Sequence, residues 1–203
     1  MLITDIEKAG KNRYRIYIEE QPAFILYKNE LQRYEIQIQA EMTLETYDEI
    51  EKKVLPKRAK LRCMNLLKTR DRTEYELRFK LKQGGYPQTV IEEAITYVKS
   101  YHYVDDERYA RQYIEYRNNT KSLRQLTQEL LQKGIAKEII QQIIDGQEPV
   151  NEEQIIRRLI EKKKVDLNHA SPSELRKLYN FLQRKGFTGR EISRVVRNVE
   201  YFD

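Results

Sequence analysis

The sequence predicts a mainly α-helical protein in which tandem three-helix repeats follow a small N-terminal β-meander. Strand-like alternation is confined to the first fifty positions, and one leucine–glycine pattern then occurs three times. Apolar residues make up 39% of the chain and charged residues 34%, whereas soluble globular domains are about 45–50% apolar. Because stacked repeats need only a thin core, we expect an elongated stack of repeats and not one sphere.

The β-meander is predicted within residues 1–50. Residues 12–20 alternate, with Tyr14, Ile16 and Ile18 on one face, and this is the pattern of a half-buried strand. The other expected elements are strands at 2–8 and 23–27, a turn at Gln21–Pro22 and a short helix around 28–34. We therefore treat this segment as a small β-rich unit with a helical exit.

Helical periodicity replaces the alternation from about residue 43 onward. Two leucines stand eight and four residues before a glycine in three segments: Leu77, Leu81 and Gly85; Leu126, Leu130 and Gly134; Leu178, Leu182 and Gly186. Apolar residues follow each glycine at offsets one, five, six, nine and ten, with Glu191 as the exception. This arrangement is typical of a helix that ends in a left-handed glycine. We predict three-helix repeats at 54–101, 104–147 and 150–203.

Helix-capping signals support these boundaries. Asp71 with Glu74, and Ser171 with Glu174, have the spacing of a capping box, in which the two residues satisfy each other's backbone amides. Pro172 would then be the first helical residue, where its missing N–H costs nothing. The sequence therefore predicts helix starts after Asp71 and Ser171.

The turn at Gly85 also matches the bend of a DNA-binding helix-turn-helix. Leu81 precedes this glycine by four residues and Ile91 follows it by six, and the later repeats keep the same spacing. A recognition helix needs Arg, Asn, Gln or Ser near its N-terminus to reach base edges. The segments after the three glycines, YPQTV, IAKEI and FTGRE, share no such set. We therefore interpret the turn as a packing joint between helices.

Basic residues are concentrated after the N-terminal segment. Residues 1–50 carry six Lys/Arg against ten Asp/Glu, and the rest of the chain carries 32 against 22. Between Lys57 and Lys82 there are ten Lys/Arg and three acids, too few acids to pair them all. A solvated helix face with ion pairs is the ordinary explanation of such a run. The alternative is a surface that binds phosphate or an acidic partner.

The candidate contact residues follow from this charge distribution. They are Lys57, Arg58, Lys60, Arg62, Arg70, Arg72, Arg78, Lys80 and Lys82 in the first repeat, Arg108, Arg111, Lys121 and Arg124 in the second, and Arg157, Arg158, Lys162 and Lys163 in the third. The fifteen tyrosines could stack on bases. Tyr109, Tyr113 and Tyr116, however, are spaced four and three residues apart, which favours packing in the core.

Motifs of catalysis and metal binding are absent from the sequence. There is no phosphate loop, HExxH, paired CxxC or nucleophile elbow. Asp105 and Asp106 fit a helix N-terminus, where negative charge is favourable, and His102 and His169 are isolated. Cys63, the single cysteine, has no partner for an internal disulfide, and no apolar run approaches the ~18 residues of a membrane span. We expect a cytoplasmic, monomeric protein that is not an enzyme and needs no metal or cofactor.

Three stretches of the repeats are distinctive: TEYELRFKLKQGGYPQTVIEEAI, YVDDERYARQYIEYR and LTQELLQKGI. They resemble the RecX family, the bacterial regulators of the recombinase RecA, and the resemblance is strong over residues 57–145. It continues more weakly through the third repeat, and the acidic N-terminus is similar to the leading segment of some members. The family has no catalytic residues to transfer to this sequence.

The resemblance implies a fold and a function. RecX proteins are elongated, curved stacks of three-helix repeats that bind the groove of the RecA filament on single-stranded DNA. They inhibit ATP turnover and strand exchange, and so act in homologous recombination, DNA repair and the SOS response. The expected partner is therefore the RecA filament, with single-stranded DNA contacted weakly or indirectly. The alternative is a sequence-independent DNA-binding protein that acts through its basic helical face.

Overall fold

A three-stranded antiparallel sheet and a series of α-helices make up the computed structural model of this chain. The structure describes residues 1–147 and 150–197, with the backbone alone at 197. It divides into two units, Met1–Asp105 and Asp106–Asp203. The mainly helical architecture behind an N-terminal sheet confirms the predicted fold class. Within the described residues, no helix has the length and apolar character that crossing a membrane requires.

The sheet consists of β1 (Ile3–Gly10), β2 (Arg13–Ile18) and β3 (Gln21–Tyr27), paired antiparallel in the order β1-β2-β3. The alternation predicted for the second strand is present, since Ile16 and Ile18 are buried. The prediction of a turn at Gln21–Pro22 is wrong. Glu19 and Glu20 form the turn instead, with φ of 51° and 65°, and Gln21 pairs with Ile18.

The position of this turn follows from hairpin geometry. A two-residue hairpin loop with positive φ at both positions matches the right-handed twist of the flanking strands. Proline cannot adopt positive φ, because its ring holds φ near −65°. Pro22 instead lies in the edge strand β3, opposite Tyr17 at an irregularity of the ladder. An edge strand tolerates the missing N–H.

The helices of the first unit are α1 (Lys28–Arg33), α2 (Leu44–Glu49), α3 (Leu55–Leu67), α4 (Glu74–Gln83) and α5 (Gln88–Ser100), with a π-helical turn at Ile50–Val54. One apolar cluster joins the sheet to these helices. Ile16 and Leu26 of the sheet and Leu77 and Ile95 of the helices belong to it, and each is at most 1% exposed. The β-meander and the first repeat therefore share a single core.

The helices of the second unit are α6 (Asp106–Arg117), α7 (Leu123–Gln132), α8 (Lys137–Asp145), α9 (Glu152–Lys163), α10 (Pro172–Arg184) and α11 (Gly189–Arg197). Their apolar residues form two clusters. The first lies in α6 to α8 and includes Ile114 and Leu130. The second lies in α9 to α11 and includes Ile156 and Leu182. Each three-helix segment thus buries its own small core.

The three leucine–glycine segments end α4, α7 and α10 in the same way. Gly85, Gly134 and Gly186 have φ of 75°, 79° and 93°. After each glycine, the next N–H donates to the carbonyl of the leucine five residues earlier, at 3.2–3.4 Å, as Ile135 does to Leu130. This is the Schellman motif of a left-handed C-cap. The glycines are joints between helices, as the spacing predicted.

The predicted capping boxes have different outcomes. The prediction for Ser171 and Glu174 is confirmed at the start of α10. The prediction for Asp71 is wrong, because Thr73 caps α4 and its hydroxyl accepts from the backbone N–H of Glu76. Asp71 is exposed two residues earlier, whereas Thr73 is fully buried and therefore held at the helix start. Thr73 and Glu76 have the Thr-x-x-Glu spacing of a capping box, in which each side chain accepts from the other residue's backbone N–H at the helix start.

Glu191, the exception to the apolar pattern, has a capping role. Its carboxylate accepts from the backbone N–H of Thr188 at 2.7 Å, and its own N–H donates to the Thr188 hydroxyl at 3.3 Å. These reciprocal bonds satisfy two amides at the start of α11. A polar residue at this position therefore begins the helix, and the buried Ile192 next to it continues the apolar face.

Candidate partner-binding surface

Arg58 on α3 connects the helices of the first unit to the sheet. Its guanidinium donates to the Glu30 carboxylate at 2.8 Å and to the Ile25 carbonyl at 2.5 Å. It also lies 4.9 Å and 5.4 Å from the ring centroids of Tyr27 and Tyr86. The side chain is only 18% exposed. Arg58 was predicted as a contact residue, but the structure gives it internal partners, so we leave it out of the proposed surface.

Several other candidates in this repeat also have internal partners. They are Lys60 with Glu93, Arg70 with Glu76, Arg72 with the Leu66 carbonyl, and Arg78 with Glu74 and Glu92. The hydrogen bond to Glu92 is the main reason that the pKa of Arg78 is raised. Burial of Glu74 acts against its ionisation, but hydrogen bonds from Lys99 and Arg78 still lower its pKa. Lys60, Arg70 and Arg78 are therefore paired with acidic side chains of the protein, whereas the carbonyl that Arg72 binds is neutral.

Three of the candidate cations in the first repeat keep their charge exposed. Lys57, Arg62 and Lys82 lie on the solvent side of α3 and α4 and have no ion pair with any residue that the structure describes. Lys80 donates to the neutral Gln83 side chain, at 3.2 Å. Unpaired, exposed cations are the groups that an anionic partner can neutralise at the least cost.

The second repeat contains a polar and aromatic network around Glu129. Its carboxylate accepts from Lys121 at 2.5 Å, Gln125 at 3.0 Å and Tyr113 at 2.8 Å. Burial opposes ionisation, but these hydrogen bonds lower the pKa of Glu129 to about 2. Burial and the bond to Glu129 raise the pKa of Tyr113 to about 12. Lys121, predicted as a contact residue, is therefore part of an internal network.

The network makes a prediction for the acid stability of the protein. Because the folded pKa of Glu129 is about 2 and its ordinary value is 4.5, the unfolded chain binds this proton more tightly. The stabilisation is present above about pH 4.5 and is lost as the pH falls towards 2. We expect Glu129→Gln to flatten the decrease of the urea midpoint between pH 5 and about 2. Glu115→Gln, at an exposed position of α6, is the control; equal slopes in the two variants would contradict the assignment.

The remaining candidates of the second repeat are exposed. Arg111 pairs with Glu107 on the same helix, at 2.8 Å with both side chains about half exposed. Such a surface pair contributes little to stability. Arg108 is exposed, and Arg124 has no ion pair within residues 1–147 and 150–197. Arg124 is therefore the candidate of this repeat with the most available charge.

The third repeat carries its candidates on α9. Arg157 and Lys162 are exposed and have no ion pair within the described parts of the chain. Arg158 donates to the Asn119 side chain at 3.0 Å, and the Lys163 ammonium lies 4.7 Å from the Phe181 ring centroid. None of these four cations is neutralised by an acid that the structure describes.

Exposed aromatic rings are the feature that the sequence interpretation missed. Tyr75 and Phe79 stack on the surface of α4, with centroids 6.4 Å apart and exposures of 52% and 48%. Tyr109 and Tyr113 are half-buried as expected, but Tyr116 is 83% exposed, so its prediction as a core residue is wrong. The spacing of three and four residues placed all three tyrosines on one face. The buried side of α6 is set by Ala110 and Ile114, and Tyr109 and Tyr113 pack against that apolar cluster, whereas Tyr116 is not part of it.

The described residues contain no group of three or more His, Cys, Asp or Glu side chains that could hold a metal ion. Cys63 is fully buried, and desolvation raises the pKa of its thiol to about 11. A buried, protonated thiol is a poor nucleophile. The exposed groups with available chemistry are thus the cations and aromatic rings of the helical repeats.

The fold and this surface define a tandem helical-repeat protein with exposed cations in each repeat. Three models of one protein family match the helical part of the chain. The first, second and third three-helix domains of RecX match residues 59–97, 105–144 and 151–196. The chain belongs to the RecX family of regulatory proteins.

Related proteins agree with this assignment, and solved structures agree with the fold. The regulatory protein RecX of Caldanaerobacter subterraneus is 33% identical, covering 97% of this chain and 98% of the relative. RecX of Clostridium botulinum Alaska E43 is 25% identical, covering 98% and 97%. A crystal structure of regulatory protein RecX superposes with a TM-score of 0.57, 23% identity and coverage of 97% and 98%. The crystal structure of RecX from Lactobacillus salivarius superposes with a TM-score of 0.60 and 22% identity, covering 73% of this chain and 99% of that structure.

Proposed function

We propose that this protein is a non-enzymatic regulator that binds the RecA filament on single-stranded DNA in its groove. Binding there would inhibit ATP turnover and strand exchange. The observation that carries the proposal is the match of three consecutive RecX domains over residues 59–196, with short gaps between them. The family resemblance supplies the partner, and the exposed cations supply the chemistry for an anionic filament.

Charge complementarity supports a filament as the partner. Lys57 and Lys82 of the first repeat, Arg124 of the second and Arg157 and Lys162 of the third are exposed and unpaired within the described residues. A partner that presents acidic side chains and DNA phosphates would neutralise them. Such contacts carry no sequence information. The regulator would therefore act on filaments of any DNA sequence.

Titration into an ATPase assay of RecA on single-stranded DNA tests the proposal. We expect the rate of ATP hydrolysis to fall well before one molecule is present per RecA, because each molecule would contact several protomers of a filament. We expect Lys57→Glu/Lys82→Glu to require about tenfold more protein for the same inhibition, since two repulsive charges face the filament. Higher salt should weaken inhibition by the unchanged protein.

The matched control is Lys8→Glu/Lys11→Glu, which makes the same change of charge at exposed positions of the acidic N-terminal segment. We expect it to inhibit like the unchanged protein. Undiminished hydrolysis at saturating protein would refute the proposed function. Equal loss in both double variants would show that net charge alone is responsible, and that the first repeat is not a specific contact.

A direct, sequence-independent interaction with DNA is the second candidate function. The stacked and exposed Tyr75 and Phe79, together with Lys80 over the Phe79 ring at 5.9 Å, favour it. Aromatic rings beside cations are a common platform for single strands. In a gel shift without RecA, this function predicts binding to DNA of any sequence. The filament proposal predicts that naked DNA is bound more weakly than the RecA filament.

The same proposal includes the organisation of the chain. We retain repeat boundaries at 54–101, 104–147 and 150–203, with residues 1–50 as the β-rich segment. We also propose that the protein is a monomer. Its proposed location is the cytoplasm, because RecA filaments form on DNA in the bacterial cytoplasm.

A further inference from the structure

A polar cavity lies in the first unit, where the sheet meets α3 and α4. Its volume is about 330 Å³, at the lower end of the ~300–1,000 Å³ typical of small-molecule sites. The lining residues are Arg13, Tyr27, Arg62, Lys80, Gln83, Gly84 and Tyr86. They come from β2, the end of β3, α3, α4 and the turn after α4. The cavity therefore exists only because the β-meander packs against the first repeat.

The cavity is positively charged. Three of its lining residues are cations, and no Asp or Glu of the described chain is among them. Arg13 donates to the Gly84 carbonyl at 2.8 Å, and Lys80 donates to the Gln83 side chain at 3.2 Å. Arg62 has no ion pair with a described residue. The partners are neutral, so the positive charge is not compensated locally.

The aromatic wall of the cavity is held in place from behind. The Arg58 guanidinium lies against the Tyr27 and Tyr86 rings and is fixed by Glu30 and the Ile25 carbonyl. Its Nε is buried and has no acceptor among the described residues. Burial raises the pKa of Tyr86, so its hydroxyl stays protonated at neutral pH and can donate. Cations, a phenol and ring faces are thus combined in one preformed site.

We propose that this cavity binds a phosphate group of a single-stranded nucleic acid backbone. Arginine and lysine side chains without acidic partners are the usual ligands of phosphate oxygens, and arginine can bind two at once. Tyr27 is 39% exposed, and its ring would offer a face to an adjacent base. The ligand class is a phosphodiester, with a free nucleotide or inorganic phosphate as the other source of the same chemistry.

The surroundings of Lys80 favour a strand over a free nucleotide. Its ammonium lies 5.9 Å from the Phe79 ring centroid, and Phe79 stacks with Tyr75 on the exposed side of α4. A strand held by its phosphate in the cavity would find this second stacking surface at the next nucleotides. This inference deepens the proposed function. It rests on that function for one point, the choice of DNA as the strand. It gives the N-terminal segment a role through Arg13 and Tyr27.

The test is binding of a fluorescently labelled oligo-dT strand to the full chain, by anisotropy and without RecA. We expect Arg62→Gln/Lys80→Gln to raise Kd about tenfold, as loss of charge-assisted hydrogen bonds does. The slope of log K against log salt should become shallower by about 0.7 for each lost phosphate contact. The matched control, Lys53→Gln/Lys68→Gln, removes two exposed cations of the same unit outside the cavity. We expect its Kd to change less than twofold, because it touches no phosphate of the strand.

Two results would overturn the proposal. One is equal strand affinity in the Arg62/Lys80 variant and in its control. The other is calorimetric binding of ADP or inorganic phosphate that the Arg62/Lys80 variant abolishes while strand affinity stays unchanged, which would assign the cavity to a free ligand. Because RecA is absent from the strand-binding test, a negative result in it leaves the ATPase result unaffected. A negative ATPase result would likewise leave the measured strand affinity unchanged.

Discussion

Replacement of Gly186 by alanine is expected to lower the free energy of unfolding by about 3 kcal/mol. Gly186 has φ of 93°, a conformation that strains any L side chain. An added Cβ would also lie 2.5 Å from the Cβ of Gln125 and would overlap the Ser122 hydroxyl. Ser122 is the buried N-cap of α7, and its N–H donates to the Lys185 carbonyl at 3.0 Å. The substitution therefore disturbs the contact between the second and third repeats.

Gly134→Ala is the matched control for this prediction. Gly134 has φ of 79° and ends α7 with the same motif, but the residue is exposed. We expect a loss of about 1 kcal/mol from the left-handed backbone conformation. Urea unfolding followed by circular dichroism measures both variants, and hydrogen exchange in α7 and α10 locates the effect. Equal losses in the two variants would show that the close approach of Gly186 to α7 has no energetic consequence.

Arg58→Met is expected to destabilise the first unit by about 3 kcal/mol. The substitution keeps an apolar side chain between the Tyr27 and Tyr86 rings but leaves the Glu30 carboxylate, 17% exposed, without its cation. Removal of one partner from a largely buried ion pair is costly because the other charge stays desolvated. The Ile25 carbonyl would also lose its donor.

Arg111→Met is the control for this second prediction. It breaks the pair with Glu107, in which both side chains are about half exposed, and should change the free energy of unfolding by less than about 1 kcal/mol. The measurement is the urea midpoint of both variants, with circular dichroism as the signal. If Arg58→Met is no more destabilising than Arg111→Met, the tie between the sheet and α3 is not a stabilising element.

The fold was predictable because its signals are local. Alternation within β2, leucines spaced by one helical turn, and glycines with the φ that only they adopt freely each act over a few residues. The errors were local too. Pro22 was placed in a turn that Glu19 and Glu20 form, and Asp71 was named as a cap in place of Thr73. The hairpin turn required positive φ, which proline cannot adopt. The start of α4 was decided by burial, because Thr73 is fully buried and Asp71 is exposed.

The candidate surface was less predictable. The count of acids within residues 57–82 suggested that many cations there stay unpaired. In the structure, Glu30 pairs with Arg58, Glu93 with Lys60 and Glu92 with Arg78, and all three acids lie outside that range. The exposed rings of Tyr75, Phe79 and Tyr116 were equally hidden from a pattern that only reports spacing.

The amino-acid sequence by itself determined the repeat, the glycine caps that end α4, α7 and α10, and the basic character of the chain, since these depend on neighbouring residues and composition. Only the tertiary structure decided which charged side chains have no ion-pair partner among the described residues. An ion pair needs its atoms within about 4 Å, and at that distance the partner is chosen by packing, not by position along the chain. The cavity of Arg13, Arg62 and Lys80 arises for the same reason, because the sheet brings Arg13 to the end of α4, 71 residues further along.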